Sequence, residues 1–222
     1  MKNPLNAILG FSDILKMEIK DPAHAEDCLD WIKEINLAAV ELSELIHDLL
    51  DVGAATSGNF AVDLSNEINV ADAIKRSVKL NKDYAIRRRI SLKVEIAEDV
   101  LLIKLDEKRV KQILSNLISN AVKYSAEKTT VSITAKNFTE KNNQKYLEIT
   151  ISDQGFGMTP AQVETAFMKY KTIENPNSGK VDSFGLGLPI VKQLVELQKG
   201  EIGVTSEVGK GTSFVIKFPY SS

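Results

Sequence analysis

The sequence has few of the residues on which most metal and redox sites depend. Among 222 residues there is one cysteine, Cys28, and there are two histidines, His24 and His47. A single cysteine excludes an internal disulfide and a multi-thiolate metal site, and it favours a reducing compartment. Two histidines leave little scope for a histidine-based metal centre. No apolar run approaches the ~18 residues of a membrane helix, and the first residues show no signal-peptide pattern.

A strong charge of one sign is also absent. The 28 lysines and arginines nearly balance the 30 aspartates and glutamates, which gives a net charge of −2. Proteins that bind nucleic acid normally carry a basic excess, so we expect no nucleic-acid partner. The length corresponds to one large domain or two small ones. We expect a cytoplasmic protein, in which a membrane tether would have to come from a longer parent chain.

The first quarter of the chain has the apolar period of helices. From Ile32 to Leu49, apolar residues step by three and four, the rhythm of a coiled-coil seam, and a shorter stripe begins at Leu5. Pro22 separates the two stripes and is a poor interior helix residue. The pattern predicts a helical hairpin. Two helices cover only one side of such a stripe, so we expect a homodimer that forms a four-helix bundle, with packing onto the rest of the chain as the alternative.

Residues 53–58 break this period and indicate a hinge, which places a dimerisation hairpin at residues 1–57 and a second domain at 58–222. The second domain mixes strands and helices without strict alternation. Strands are predicted at 60–64, 91–96, 100–105, 129–135, 146–152, 201–205 and 213–218, and helices at 69–84, 106–124 and 188–197. The fold class is therefore α+β, with an α/β sandwich in which helices cover one face of a mixed sheet.

One block of the second domain carries two amides at helical spacing. Asn116 and Asn120 are four residues apart, so both side chains project from the same helix face. A neutral amide oxygen is a hard ligand that suits Mg²⁺ beside substrate phosphates. Lys123 follows one turn later, where it can meet a phosphate. The alternative interpretation is an ordinary solvated helix face.

Two further blocks contain glycines next to a predicted strand or helix. Asp153 follows a strand and precedes Gly155 and Gly157, which suits an acidic contact to an adenine amino group, although turns often have this composition. Gly185 and Gly187 precede a helix, where free backbone N–H groups and the helix dipole favour phosphate.

A polar segment, residues 169–184, separates these two glycine blocks. It carries Lys169, Lys171 and Lys180, and long irregular segments beside a phosphate site are often lids, although a disordered surface loop fits equally well. The fourth block, Gly209–Phe214, is by itself typical of a hairpin turn.

In this order and spacing, the blocks resemble the N, G1, F, G2 and G3 boxes of the ATP-binding domain of sensor histidine kinases, over about residues 60–218. Tyr170 departs from the usual second phenylalanine of the F box. The resemblance implies a Bergerat α/β sandwich, ATP and Mg²⁺ as cofactors, and Asn120 with Asn116 as metal ligands. It implies nucleotide contacts from Asn116, Asn120, Lys123, Tyr124, Asp153, Gly155, Gly157, Phe167, Gly185, Leu186, Gly187, Leu188 and Thr212.

The same fold also serves gyrase-type and mismatch-repair ATPases, so the fold alone does not decide the function. Those ATPases carry a glutamate where this chain has Asn116. An uncharged amide cannot accept the proton of an attacking water, so Asn116 favours phosphoryl transfer to a nucleophile on another domain. The resemblance then implies phosphorylation of a histidine and relay to the aspartate of a response-regulator receiver domain.

The start of the chain resembles the end of the same family's H box. Residues 2–8 match its Lys-Asn-Pro-Leu portion, and counting backwards places the phosphoacceptor histidine before Met1. Neither His24 nor His47 stands in that context, so no residue of the chain is predicted as the phosphoacceptor. Three hypotheses follow: a piece of a longer kinase, a kinase domain that acts on another polypeptide, or a non-enzymatic ATP-responsive dimer that binds a response regulator or regulates a complete kinase.

Overall fold

The computed structural model describes residues 2–19, 24, 26–36, 38–39, 42, 62–100, 102–140, 143–169, 171 and 185–220. The chain divides into two compact units, Met1–Asn59 and Phe60–Ser222. The assignment of residues 1–57 as a dimerisation hairpin and of 58–222 as a catalytic domain stays a prediction. Within these described ranges, none of the helices is both long enough and apolar enough to span a bilayer.

The first unit is helical over most of its described residues. Helix α1 covers Lys2–Glu18, and residues 26–36 form a second helical segment. Cys28 is 8% exposed and belongs to the core of this unit. Seven large apolar side chains of this unit are well exposed: Leu5, Leu9, Ile14, Met17, Ile19, Leu29 and Ile32. The four-helix bundle stays a prediction, and residues 43–50, which include His47, lie outside the described residues.

The second unit contains seven strands and four helices among its described residues. The strands are β1 (Glu67–Ile68), β2 (Ser91–Ile96), β3 (Ile103–Lys104), β4 (Thr130–Thr139), β5 (Lys145–Ser152), β6 (Glu201–Glu207) and β7 (Gly211–Pro219). The helices are α2 (Val70–Arg87), α3 (Glu107–Tyr124), α4 (Pro160–Thr165) and α5 (Gly187–Leu197).

Five strands form one mixed sheet in the order β2-β4-β5-β7-β6. Strand β2 pairs parallel with β4, and the other three pairs are antiparallel. Strands β1 and β3 form a separate antiparallel pair. The mixed sheet that the sequence predicts is therefore confirmed.

One face of the sheet is buried because alternate residues of a strand point to opposite sides. Ile133, Ile151 and Phe214 form a row across β4, β5 and β7, and none of them is more than 6% exposed. Leu117 and Ile118 of α3 are completely buried, as expected for the helix that covers the middle of this face. The helices thus lie on one face, as predicted, and the α+β class is confirmed.

Two predicted strands are wrong in extent. The strand predicted at 60–64 does not include residues 62–64, because Oδ1 of Asp63 accepts a hydrogen bond from the Ser65 N–H and holds a turn instead. The strand predicted at 100–105 shrinks to Ile103–Lys104, since the Val100 N–H donates to the carbonyl of Ala97 in a preceding turn. The remaining predicted elements are confirmed with shifts of a few residues at their ends.

The sequence prediction missed helix α4, although a signal for it is present. Thr159 Oγ1 accepts a hydrogen bond from the Gln162 N–H, and Gln162 Oε1 accepts one from the Thr159 N–H, which is a capping box. Pro160 occupies the first helical turn, where its missing N–H costs nothing.

Asp106 joins three segments at the start of α3. Its Oδ1 caps the helix by accepting the Arg109 N–H over 3.0 Å, and its Oδ2 accepts the Asp63 N–H over 3.1 Å. The backbone N–H of Asp106 donates to Oε1 of Gln198, which follows α5 and is only 3% exposed. The entry to the second unit, the start of α3 and the end of α5 are therefore held at one point.

We expect Asp106→Ala to lower the free energy of unfolding of the second unit by about 1–2 kcal/mol, because it removes a helix cap and the partner of Asp63. Urea unfolding followed by far-ultraviolet circular dichroism measures this loss. Asp99→Ala is the control: it removes an exposed carboxylate outside any helix cap and should change stability by less than about 0.5 kcal/mol. Equal losses in the two variants would contradict the capping role.

Candidate functional site

Helix α3 carries the two amides of the first sequence block beside its buried face. Asn116 and Asn120 are half-buried, and Nδ2 of Asn120 donates to Oδ1 of Asn116 over 2.9 Å. Within the described part of the chain, Oδ1 of Asn120 makes no hydrogen bond. The amide pair is therefore oriented by its own contact, and one carbonyl oxygen is left for a ligand.

The start of α5 lies directly against this amide pair. A Cβ atom on Gly187 would stand 2.7 Å from Nδ2 and 3.0 Å from Oδ1 of Asn116, so a larger residue would push the amide away. Leu186 precedes the helix and is buried, and Leu188 is half-buried in the first turn. The first N–H groups of a helix lack intrahelical acceptors. The structure thus brings the first and third blocks together.

Asp153 follows β5 and is held by the backbone around it. Its Oδ1 accepts the N–H groups of Gly155 over 2.8 Å and of Thr212 over 3.1 Å. Burial raises the pKa of the Asp153 carboxyl, and these two N–H groups oppose the shift only in part. Within the described residues, Oδ2 makes no hydrogen bond. It is the oxygen of this carboxyl that a ligand can approach.

The glycines of the second block have packing reasons of their own. Gly155 forms a bridge with Ser125, and a Cβ atom there would overlap the backbone carbonyl of Tyr124. Gly157 has φ of +66°, and its Cβ atom would overlap the carbonyl of Glu207. At both positions the space that a side chain would need is therefore filled by the protein's own backbone.

Ser206 is a site residue that the sequence prediction missed. Its Oγ accepts the Met158 N–H over 2.8 Å, donates to the carbonyl of Gly211 over 2.9 Å and pairs with Oγ1 of Thr212 at 2.9 Å. It thereby fixes the loop after Asp153 to the turn that carries Thr212. A lone serine in a strand gives no sequence signal for such a role.

Residues on either side of the predicted lid contact other parts of the second unit and each other. The Phe167 ring packs edge-on against Phe214, with ring centres 6.3 Å apart, and Nζ of Lys192 lies 5.7 Å from its centre. Gly185, with φ of +64°, lies against the backbone of Lys171. Residues 172–184 and Tyr170 are outside the described part, so the lid itself, with Lys180, stays a prediction.

The end of α3 connects the two groups of site residues. Nζ of Lys123 lies 5.8 Å from the centre of the Tyr124 ring, and the carbonyl of Lys123 accepts a hydrogen bond from Arg88 over 3.0 Å. Tyr124 is eight residues after Asn116, which corresponds to about 12 Å along the helix. The site is therefore elongated, with an amide end at Asn116 and Asn120 and an acidic end at Asp153 and Thr212.

Two open cavities in the described part differ in their relation to this site. A cavity of about 450 Å³ between α2 and β2 is lined by Asn69 and Lys75, among others, and contains none of the predicted site residues. A second cavity of about 350 Å³ borders Asp153 and Thr212. The described residues contain no cluster of three or more His, Cys, Asp or Glu side chains able to hold a metal ion.

Comparison with known proteins relates the chain to histidine kinases. The cell-division control histidine kinase PdhS of Brucella suis is 30% identical and that of Brucella ovis 29% identical, in each case over 99% of this chain. The chain spans 21% of the length of these relatives.

Several solved structures also resemble the chain. The structure of full-length ShkA in complex with AMPPNP has a TM-score of 0.68 at 25% identity, over 100% of this chain and 44% of that one. AdeS of Acinetobacter baumannii, at 17% identity, has a TM-score of 0.67 over 100% of this chain and 97% of its own, and shares the fold. ThkA in complex with the response regulator TrrA has a TM-score of 0.67 at 21% identity, over 99% of this chain and 58% of that one.

The family described as histidine kinase-, DNA gyrase B- and HSP90-like ATPase matches residues 105–222, which is more than half of the chain and includes both ends of the site. PdhS, AdeS and ThkA, which the chain resembles, are histidine kinases, and the chain itself belongs to this ATPase family.

Proposed function

We propose that the chain is the ATP-binding core of a two-component sensor histidine kinase, which moves the γ-phosphoryl group of Mg·ATP to a histidine. The observation that carries the proposal is the elongated site along α3. One end offers an open carboxylate oxygen at Asp153, and the other offers an amide oxygen at Asn120 beside the start of α5. A nucleotide has the matching polarity, with a donor amino group on its base and anionic oxygens at its other end.

The acidic end suits adenine. Oδ1 of Asp153 is occupied by two backbone N–H groups, so Oδ2 is left to accept a hydrogen bond from the exocyclic amino group of adenine. Guanine presents an acceptor oxygen at the corresponding position, which a carboxylate would repel. Thr212, tied to the same Oδ1, then borders the base. This end selects ATP over GTP.

The amide end suits phosphates and a magnesium ion. The start of α5, with Gly185, Gly187 and Leu188, presents backbone N–H groups, and Lys123 adds a cation on the neighbouring helix. Mg²⁺ keeps several waters and takes few protein ligands beside substrate phosphates, so one amide oxygen from Asn120 fits its needs. When bound, the ion neutralises charge on the phosphoryl group being transferred.

Asn116 bears on the reaction class. A glutamate at this position could take the proton of an attacking water, whereas an amide that already accepts a hydrogen bond from Asn120 cannot. The site therefore positions a phosphoryl group and stabilises its charge without activating water, which suits transfer to a nucleophile from outside the site. This supports a kinase over an ATP hydrolase.

The acceptor is a histidine in an H-box context, and neither histidine of the chain has one. Nδ1 of His24 lies 3.2 Å from Asp27 and its Nε2 lies 3.6 Å from Glu18, which indicates a structural role. We place the acceptor on another segment or polypeptide, with relay to a receiver-domain aspartate. ThkA, which shares the fold, was crystallised with a response regulator, and this supports a receiver domain as the partner.

The exposed apolar side chains of the first unit support a homodimer, because a seam left open in one copy can be covered by a second. The second candidate is a non-enzymatic ATP-responsive dimer that binds a response regulator or regulates a complete kinase.

Asp153→Asn will weaken the binding of Mg·ADP by more than tenfold, about 1.4 kcal/mol. Oδ1 of the asparagine must still accept the two backbone N–H groups, so its Nδ2 faces the adenine amino group and two donors oppose each other. Titration calorimetry measures the affinity. Unchanged affinity would overturn the adenine assignment.

The control for this variant is its stability, which should not fall at neutral pH. The raised pKa of Asp153 means that the stability it contributes is fully present below the ordinary aspartate pKa and is lost as the pH rises through the folded-state pKa. Asparagine has no charge to bury. The melting temperature of the variant, relative to that of the wild type, should therefore rise between acid and neutral pH. Asp99→Asn, at an exposed position, should change neither affinity nor this pH dependence.

Incubation with labelled ATP and Mg²⁺ will leave no acid-labile phosphate on the chain alone, because neither of its histidines stands in an H box. Addition of a second polypeptide that carries an intact H box should give label on that polypeptide, and Asp153→Asn should reduce it. Label on neither chain would favour the non-enzymatic module. Label on this chain that disappears in His47→Ala would contradict the assignment of the acceptor.

A further inference from the structure

We propose that Asn116 is a positioning residue for Asn120. Its amide fixes which atom of Asn120 faces the phosphates, and the glycine at position 187 leaves the space that this amide occupies. The inference rests on the proposed function, since it concerns the amide end of the same site.

The first step concerns the orientation of Asn120. The terminal torsion of an asparagine is broad and nearly two-fold, so an unrestrained amide presents either its oxygen or its nitrogen to a neighbour. Here Nδ2 of Asn120 donates to Oδ1 of Asn116 over 2.9 Å, and Oδ1 of Asn120 is left facing away from that bond. Asn116 therefore decides that Asn120 presents a carbonyl oxygen, the atom a cation needs, and not an N–H donor.

The second step concerns Asn116 itself. Its Oδ1 already accepts the hydrogen bond from Asn120, and its Nδ2 lies where a Cβ atom on Gly187 would come within 2.7 Å. Both ends of the amide are thus engaged by the protein, one by a hydrogen bond and the other by close packing. An amide held in this way serves to orient its neighbour.

The third step concerns Gly187. It is the first residue of α5, its backbone does not have positive φ, and the space for its side chain is limited by Asn116. Alanine is tolerated in a helix, so the constraint on this position comes from the neighbouring amide. A methyl group here would displace Asn116 and release Asn120 from its orientation. The start of α5 and the amide of Asn120 are therefore coupled through one side chain.

The test separates the metal-dependent part of ADP affinity from the rest. Calorimetry gives the dissociation constant of ADP in EDTA and in excess Mg²⁺. The ratio of the constant in EDTA to the constant in Mg²⁺ measures how much the ion increases the affinity. We expect Asn120→Ala and Asn116→Ala each to lower this ratio by about fivefold or more, the size of one lost hydrogen bond. Thermal unfolding checks that each variant is folded.

A second pair of variants tests the coupling through Gly187. Gly187→Ala should lower the ratio in the wild-type background and have no further effect in the Asn116→Ala background, where the methyl group has room. Gly203→Ala is the matched control, because a Cβ atom at Gly203 meets nothing within 4 Å. It should leave the ratio unchanged.

The outcomes distinguish the inference from the proposed function. Absence of ADP binding by the wild-type chain would overturn the proposed function, and the inference with it. Binding that depends on Mg²⁺ and on Asn120 but is insensitive to Asn116→Ala would overturn the inference alone. Equal effects of Gly187→Ala in both backgrounds would also overturn the inference alone, since the effect would then not pass through Asn116.

Discussion

The site depends on the contact between the end of α3 and the loop that follows β5. Gly155 lies so close to the carbonyl of Tyr124 that no side chain fits between them, and the bridge from Ser125 to Gly155 continues the contact. The end of α3 and the loop after β5, which are separate in sequence, are thereby in direct contact. The amides on the helix and the carboxylate on the loop are then held relative to one another.

Much of the fold could be predicted from the sequence because its signals are local. The apolar period of α3, the cap at Asp106 and the β-branched residues of β4 and β5 each act within a few residues, and the structure has these elements where they are expected. The strand predicted at 60–64 is wrong over residues 62–64, because the Asp63 side chain accepts a hydrogen bond from the Ser65 N–H and holds the local backbone in a turn.

The candidate site was predictable in its residue types but not in its internal bonds. The spacing of Asn116 and Asn120 places both on one helix face, yet it cannot show that one amide is the partner of the other. Glycine at 155 and 157 could be attributed to a ligand, whereas backbone from distant segments fills the space in both cases. Ser206 had no sequence signal at all, since its three partners come from contacts that only the folded sheet creates.

The hydrogen bond between the Asp106 N–H and Gln198 has a mechanical consequence. It fastens the start of α3 to the end of α5, while the contact between Asn116 and Gly187 fastens the middle of α3 to the start of α5. The two contacts are separated by about 15 Å along either helix, because ten or eleven residues lie between them. Two bodies joined at two distant points lose the freedom to swing about a single pivot. Helices α3 and α5 therefore resist rotation about either contact, and the amide end of the candidate site keeps its shape.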